Sequence, residues 1–204
     1  MTELQLPQLN TDRIIGVYAK ARYGKTNLIA NILKRITQDW YVIMYDINYE
    51  QPKFRGLSFN KHLIFHTPEE RNANKLEQLN KFIKDMRTKS SNFFIYIEDL
   101  DSFFDDATSL SKDAFELKDL VGRGGHQRVG FIYAAKQPRV IPLKVISATN
   151  LMYLGKFQQQ DDVQALRNYA TAQQLSTLEN RYFIEYDDWT NQKTRIKADV
   201  LIGD

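Results

Sequence analysis

A mainly parallel α/β sheet with helices on both faces is the fold class this sequence predicts, and three observations carry it. Short apolar, β-rich runs alternate with stretches whose apolar residues recur at three- and four-residue spacing. One run, Phe93-Phe94-Ile95-Tyr96-Ile97, is apolar throughout, as a central strand covered on both faces must be. A Gly24-Lys25-Thr26 triplet stands between the first strand-like run and the first helical one.

In chain order, Ile14-Ile15-Gly16-Val17-Tyr18 reads as a buried strand, followed by Leu28, Ile29, Ile32, Leu33 and Ile36 on one helical face. Trp40 to Tyr45 is a second strand run and Leu63-Ile64-Phe65 a short third. Leu76, Leu79, Ile83 and Met86 mark an amphipathic helix. After the central strand, a helix around Leu110–Val121 leads to a strand at Val129–Ala135, and Leu151-Met152-Tyr153-Leu154 gives another. Tyr182–Tyr186 and Thr194–Leu201 flank the turn-prone Asp187-Asp188-Trp189-Thr190-Asn191, the pattern of a terminal antiparallel hairpin. No repeat or linker divides the 204 residues, which suit one domain. Its core is expected over about 13–155, with a helix and hairpin extension over 156–204.

Composition excludes several classes. The hydrophobic fraction of 43% and charged fraction of 26% are those of a soluble globular protein, and no run of roughly 18 apolar residues spans a bilayer. Met1 to Pro7 lacks the basic start and apolar run of a secretory signal. The absence of cysteine excludes disulfides, thiolate metal sites and cysteine catalysis, and fits an intracellular chain. A net charge of +3 does not by itself announce nucleic acid. Residues 118–144, however, hold Lys118, Arg123, Arg128, Lys136, Arg139 and Lys144 against Asp119 alone, a local net of +5 that favours a polyanion partner. His62, His66 and His126 show no ligand spacing and read as structural or surface residues.

The strongest chemical signal is Ala19-Lys20-Ala21-Arg22-Tyr23-Gly24-Lys25-Thr26. It has the spacing of G-x-x-x-x-G-K-[ST], with alanine at the first glycine, in the strand–loop–helix context that motif requires. Backbone N–H groups of the loop and of the helix start, through Asn27, would face phosphates. Gly24 allows close backbone approach. Lys25 would place a charge on the β/γ-phosphates of ATP, and the Thr26 hydroxyl would complete a Mg²⁺ shell. Such a loop needs a carboxylate across from it for the metal and a second to polarise water. Glu98-Asp99, directly after the central strand, supplies both. Position assigns Glu98 to the metal, through water, and Asp99 to the attacking water; the reverse stays open, since neighbouring residues at a strand end point to opposite sides. Asp101, Asp105 and Asp106 read as helix caps or a solvated loop.

With these motifs in hand, the sequence resembles the FtsK–HerA superfamily of DNA-pumping ATPases, and within it the small genome-packaging ATPases of membrane-containing icosahedral viruses. The resemblance covers roughly residues 13–155. The Walker A lysine and threonine fall on Lys25 and Thr26, and the Walker B acid pair on Glu98-Asp99, in swapped order. The family's glutamine after the next strand falls on Gln137, shifted by one residue behind Lys136, where an amide would sense the γ-phosphate or hold the water. Its arginine, which reaches a neighbouring subunit's site, falls on Arg123 or Arg128, with Arg71 a weaker candidate. A planar, permanently charged guanidinium suits transition-state phosphoryl oxygens.

The resemblance implies an ASCE-type P-loop domain, with an extra strand between Walker A and Walker B. It implies a homo-oligomeric ring, read as a hexamer, that hydrolyses Mg²⁺–ATP and drives double-stranded DNA into a viral capsid. Contacts to DNA would be to phosphates and independent of sequence. A capsid or membrane protein of the virion is a further expected partner, and the expected location is the cytoplasm of an infected host cell or the virion. Two rivals stay open: a nucleoside or nucleotide kinase, and a nucleotide-binding switch or scaffold with little hydrolysis.

Overall fold

The strands are the apolar runs of the sequence. β1 (Ile14–Tyr18), β2 (Tyr41–Tyr45), β3 (Leu63–His66), β4 (Phe93–Ile97), β5 (Val129–Ala135) and β6 (Leu151–Leu154) are followed by β7 (Tyr182–Asp187) and β8 (Gln192–Lys197). Between them lie α1 (Lys25–Ile36), α2 (Lys75–Lys89), α3 (Phe115–Arg123) and α4 (Leu143–Ala148), with α5 (Gln160–Ala165) and α6 (Ala172–Thr177) ahead of β7. The computed structural model describes residues 10–37, 39–47, 53–54, 62–68, 75–89, 92–104 and 114–200. Arg71, Asp105, Asp106, Leu201 and the expected start of a helix at Leu110 lie outside the described residues.

All eight strands form one sheet in the order β3-β2-β4-β5-β1-β6-β7-β8. β1 to β6 run parallel, while β7 is antiparallel to β6 and β8 to β7. The terminal hairpin therefore extends the protein's own sheet. β5 separates β1 from β4, which is the extra strand expected between the phosphate loop and the acid pair. β4 and β5 are buried along their whole length, as continuous apolar runs require. The outer strand β8 carries Lys193, Arg195 and Lys197, charges that blunt an open sheet edge.

Strand order also fixes the helical layers. The chain moves one way along the sheet from β1 to β2 and the opposite way from β3 to β4, β4 to β5 and β5 to β6. Right-handed crossovers then put α1 on one face and α2, α3 and α4 on the other. Contacts of α2 with α3, and of α3 with α4, agree. β1 and its neighbour β5 thus send their connections to opposite faces, which opens a crevice beyond their C-terminal ends. On α1, Leu28, Ile29, Ile32, Leu33 and Ile36 are all fully buried, so the helix is pinned above the sheet along one stripe. Beneath the loop, the Tyr18 and Tyr133 hydroxyls bond to each other and the latter to Thr149 Oγ1 at 2.6 Å. A bidentate Arg13–Asp187 pair at 2.8 and 3.2 Å ties the start of the core to the hairpin.

Candidate active site

The loop between β1 and α1 opens a cavity of about 610 Å³ at that crevice. Small-molecule sites commonly hold roughly 300–1,000 Å³. Gly24 is the residue before α1 and sits at φ +94°, in the left-handed region. The helix has no side-chain N-cap and no acid in its first turn, so its N–H groups at Lys25, Thr26 and Asn27 end at the cavity. Ala19, where the motif has glycine, is fully buried. Its methyl lies 2.7 Å from where a Cβ on Gly155 would stand. The missing side chain is thus on the opposite strand connection, and Ala19 fits because Gly155 faces it.

The acid pair faces the loop as expected. Lys25 Nζ donates to Glu98 Oε1 at 2.9 Å and to Asp99 Oδ1 at 3.2 Å, with all three residues buried. Burial would lower the Lys25 pKa, but the two carboxylates outweigh it and raise it well above the usual lysine range. Asp99 sits at φ +48°, a conformation uncommon outside glycine, and so swings off the end of β4 toward the cavity. Burial pushes its carboxyl up, yet Lys25 and Lys136 together hold it below the ordinary carboxylate value. Asp101 accepts from the Lys136 backbone N–H at 3.0 Å, bracing the end of β5, and its carboxyl is raised by burial and by the Asp99 charge.

Lys136 is the residue that sequence reasoning missed on this side. Its Nζ reaches Asp99 Oδ2 at 2.5 Å and it lines the cavity. The signal was its position, first after the buried strand, overshadowed by the adjacent Gln137. Gln137 lies outside the cavity lining and accepts from Arg139 Nη2 at 3.2 Å through its amide oxygen. On the far side of the loop, Asn180 and Arg181 also line the cavity, and no motif in the sequence announces them.

Arg123 and Arg128 lie at the other end of the sheet, at the end of α3 and just before β5. The seven residues of β5 span about 20 Å at ~3.3 Å per residue. Neither arginine reaches its own subunit's cavity. Arg123 is mostly exposed and pairs with Asp119 at 3.3 Å. Nor do the six cations of 118–144 form one patch: Lys136 faces Asp99, Arg139 faces Asp162 at 3.6 Å, and Arg123 faces Asp119. His62 bonds the Thr37 carbonyl at 2.8 Å, His66 stacks on Phe82 and on Tyr45, which also touch each other, and His126 is exposed.

The donor set suits a hard cation. Thr26, Glu98 and Asp99 offer a hydroxyl and two carboxylates in one cavity, and no group of three or more His, Asp or Glu gathers elsewhere among the described residues. Mg²⁺ is commonly held in this way, by one or two protein oxygens together with substrate phosphates and water.

The fold is that of P-loop NTPases, with the extra strand between loop and acids. No family model and no curated protein sequence matches this chain. Among solved structures, it is similar to the genome packaging NTPase B204 from Sulfolobus turreted icosahedral virus 2, in structures with AMP and with ATP-γS. The TM-score is 0.72 at 16% identity, over 94% of this chain and 100% of that one. The pCW3 conjugation coupling protein TcpA, with ATP-γS, gives a TM-score of 0.64 at 13% identity, over 93% of this chain and 61% of that chain. EccC from Thermomonospora curvata, in complex with a signal sequence peptide, gives 0.66 at 11%, over 94% of this chain and 38% of that one. At such identities the likeness is one of fold, and it agrees with the FtsK–HerA resemblance carried by the motifs. Among the described residues no helix is long and apolar enough to cross a membrane.

Proposed function

We propose that this chain hydrolyses Mg²⁺–ATP and, as a homo-oligomeric ring, drives double-stranded DNA into a viral capsid. The observation that carries the ATPase is the Lys25–Glu98–Asp99 cluster facing an uncapped helix start in one cavity. The DNA cargo is supported by a fold shared with a genome packaging NTPase over 94% of this chain and all of that one.

Each residue has a physical task. Polyphosphate competes with Glu98 and Asp99 for Lys25, so substrate draws the ammonium off the acids and onto its β/γ-oxygens. The freed carboxylates then divide: Glu98, with the Thr26 hydroxyl, would hold Mg²⁺, and Asp99 would orient and polarise water. Mg²⁺ supplies neutralisation of the developing phosphoryl charge. Lys136, paired with Asp99 and half-exposed to the cavity, keeps that acid ionised and offers a second cation to the terminal phosphate. In this reading Lys136 takes the task that the family's motif gives to its glutamine. Arg22 and Arg181 line the cavity, but the two arginines that the resemblance offers for the transition state, Arg123 and Arg128, lie about 20 Å away along β5. In this reading a neighbouring subunit supplies that arginine.

The test mixes two chains that are each nearly inactive. Arg123→Ala or Arg128→Ala should bind ATP without turning it over, at a loss of ~10³–10⁵ for the true trans arginine. Mixed with Lys25→Ala, that chain should regain activity, because some interfaces then pair an intact loop with an intact arginine. Failure of both arginine variants to be complemented would remove the shared site and the ring built on it.

A further inference from the structure

The geometry points to Arg181 as a residue that binds the α-phosphate of the nucleotide held by its own subunit. This rests on the phosphate-loop reading of the cavity. Strand order gives the cavity two flanks. On one side of β1 lie β5 and β4, which bring Lys136, Glu98 and Asp99. On the other lie β6 and β7, and because β7 is antiparallel it begins at the edge where β1 and β6 end, with Ile184 opposite Leu154. Asn180 and Arg181 stand just before that beginning. A nucleotide cradled by the loop must turn its hydrolysable end to the acids, so its nucleoside end turns toward Arg181.

The segment is held there by the loop itself. The Tyr23 hydroxyl donates to the carbonyls of Glu179 and of Tyr182, the latter at 2.9 Å, and the Tyr23 carbonyl accepts from the Arg181 N–H at 3.2 Å. The Tyr23 ring meets Phe183 edge-on at 5.5 Å. Arg181 has φ +66°, a left-handed conformation that is strained for a residue with a side chain. Its Cγ lies 2.9 Å from where a Cβ on Gly24 would stand, so the side chain leaves directly over the loop. No described carboxylate pairs with its guanidinium, in contrast to Lys25 and Lys136. The cavity as a whole carries Lys20, Arg22, Lys25, Lys53, Lys136 and Arg181 against Glu98 and Asp99, a balance that favours a polyanion.

The experiment compares the affinities of adenosine, AMP, ADP and ATP for the intact protein and for Arg181→Ala, Arg181→Lys, Lys136→Ala and Lys25→Ala. Arg181→Ala should weaken AMP, ADP and ATP by the same factor, about tenfold or more for a lost charge-assisted bond, and leave adenosine unchanged. Arg181→Lys should recover part of the loss. Lys136→Ala should weaken ATP and spare AMP. Unfolding midpoints of the variants, matched to the intact protein, exclude a folding defect as the cause. A loss confined to ATP would put Arg181 on the acid flank, an equal loss for adenosine would make it a base-reading residue, and no loss would detach it from the nucleotide; each overturns the inference. If Lys25→Ala also leaves every affinity unchanged, the phosphate-loop reading itself fails, which is a different result.

Discussion

On the acid flank of the cleft, four charges satisfy one another: Lys25 and Lys136 against Glu98 and Asp99, at 2.5 to 3.2 Å. On the hairpin flank, Tyr23, Phe183 and backbone hydrogen bonds hold a single arginine that no described carboxylate neutralises. The first flank is self-paired and must be opened by substrate; the second is already open. Under the proposed function, the difference separates chemistry from binding. Groups that must act only when phosphate arrives are tied up until it does, which guards a buried cluster against unpaired charge. A group that recognises what is common to every nucleotide needs no such restraint.

Substitutions on the two flanks should therefore differ in kind, and the largest effect belongs to the acid side. Lys25→Ala should lower turnover by about 10²–10³-fold or more, because the phosphates lose their nearest fixed cation. It should also weaken ATP binding and leave Glu98 and Asp99 facing each other. Wild-type turnover in that variant, by phosphate release, would sink the loop assignment. Next, Asp99→Asn should keep ATP bound while losing ~10²-fold or more in turnover, as expected of a group that polarises water. Glu98→Gln should instead shift the Mg²⁺ concentration needed for half-maximal activity. An unchanged metal response with trapped ATP would reverse the two roles.

Lys136→Ala should cost about ten- to a hundredfold in turnover, the range of one charge-assisted bond. It carries a pH signature. Lys136 helps hold the Asp99 carboxyl low, so its removal lets that pKa rise, and the acid limb of the kcat–pH profile should move to higher pH. Gln137→Ala, outside the cavity, should stay close to the intact protein; the opposite ranking of these two variants would return the sensor's task to Gln137. Last, and on stability alone, comes Gly155→Ala, whose new methyl meets Ala19 and Tyr23 at 2.7 Å. Overpacking of this kind costs ~1–3 kcal/mol in denaturant unfolding. Adding Ala19→Gly should recover part of it, since only one of the two clashes is relieved.

The acid flank was legible in the sequence because its residues sit at the ends of buried strands and within one motif spacing. Lys25 follows β1 through the loop, and Glu98 and Asp99 follow the apolar run of β4. The same logic led to the end of β5 and to Gln137 there, whereas it is the neighbouring Lys136 that lines the cavity. A motif shifted by one residue does not say which side chain turns inward, whereas the backbone at the end of β5 turns Lys136 in and leaves Gln137 with Arg139. The hairpin flank left no trace of its role. Tyr23 and Tyr182 are brought together only by the docking of β7 on β6, and such a long-range contact has no local pattern to read. The basic run of 118–144 is likewise not readable as one surface from the sequence, since residues close in the chain are dispersed between the two ends of the sheet.

The central claim, a DNA-stimulated motor whose site is completed between subunits, is tested most directly by phosphate release from the intact protein. It is measured over a range of protein concentrations, with and without duplex DNA, at several salt concentrations. Specific activity should rise with protein concentration as rings assemble and rise again with duplex DNA, and the DNA effect should fade as salt increases because the contacts are to phosphates. Activity that is independent of concentration and indifferent to DNA at every salt would leave a P-loop ATPase and contradict the motor.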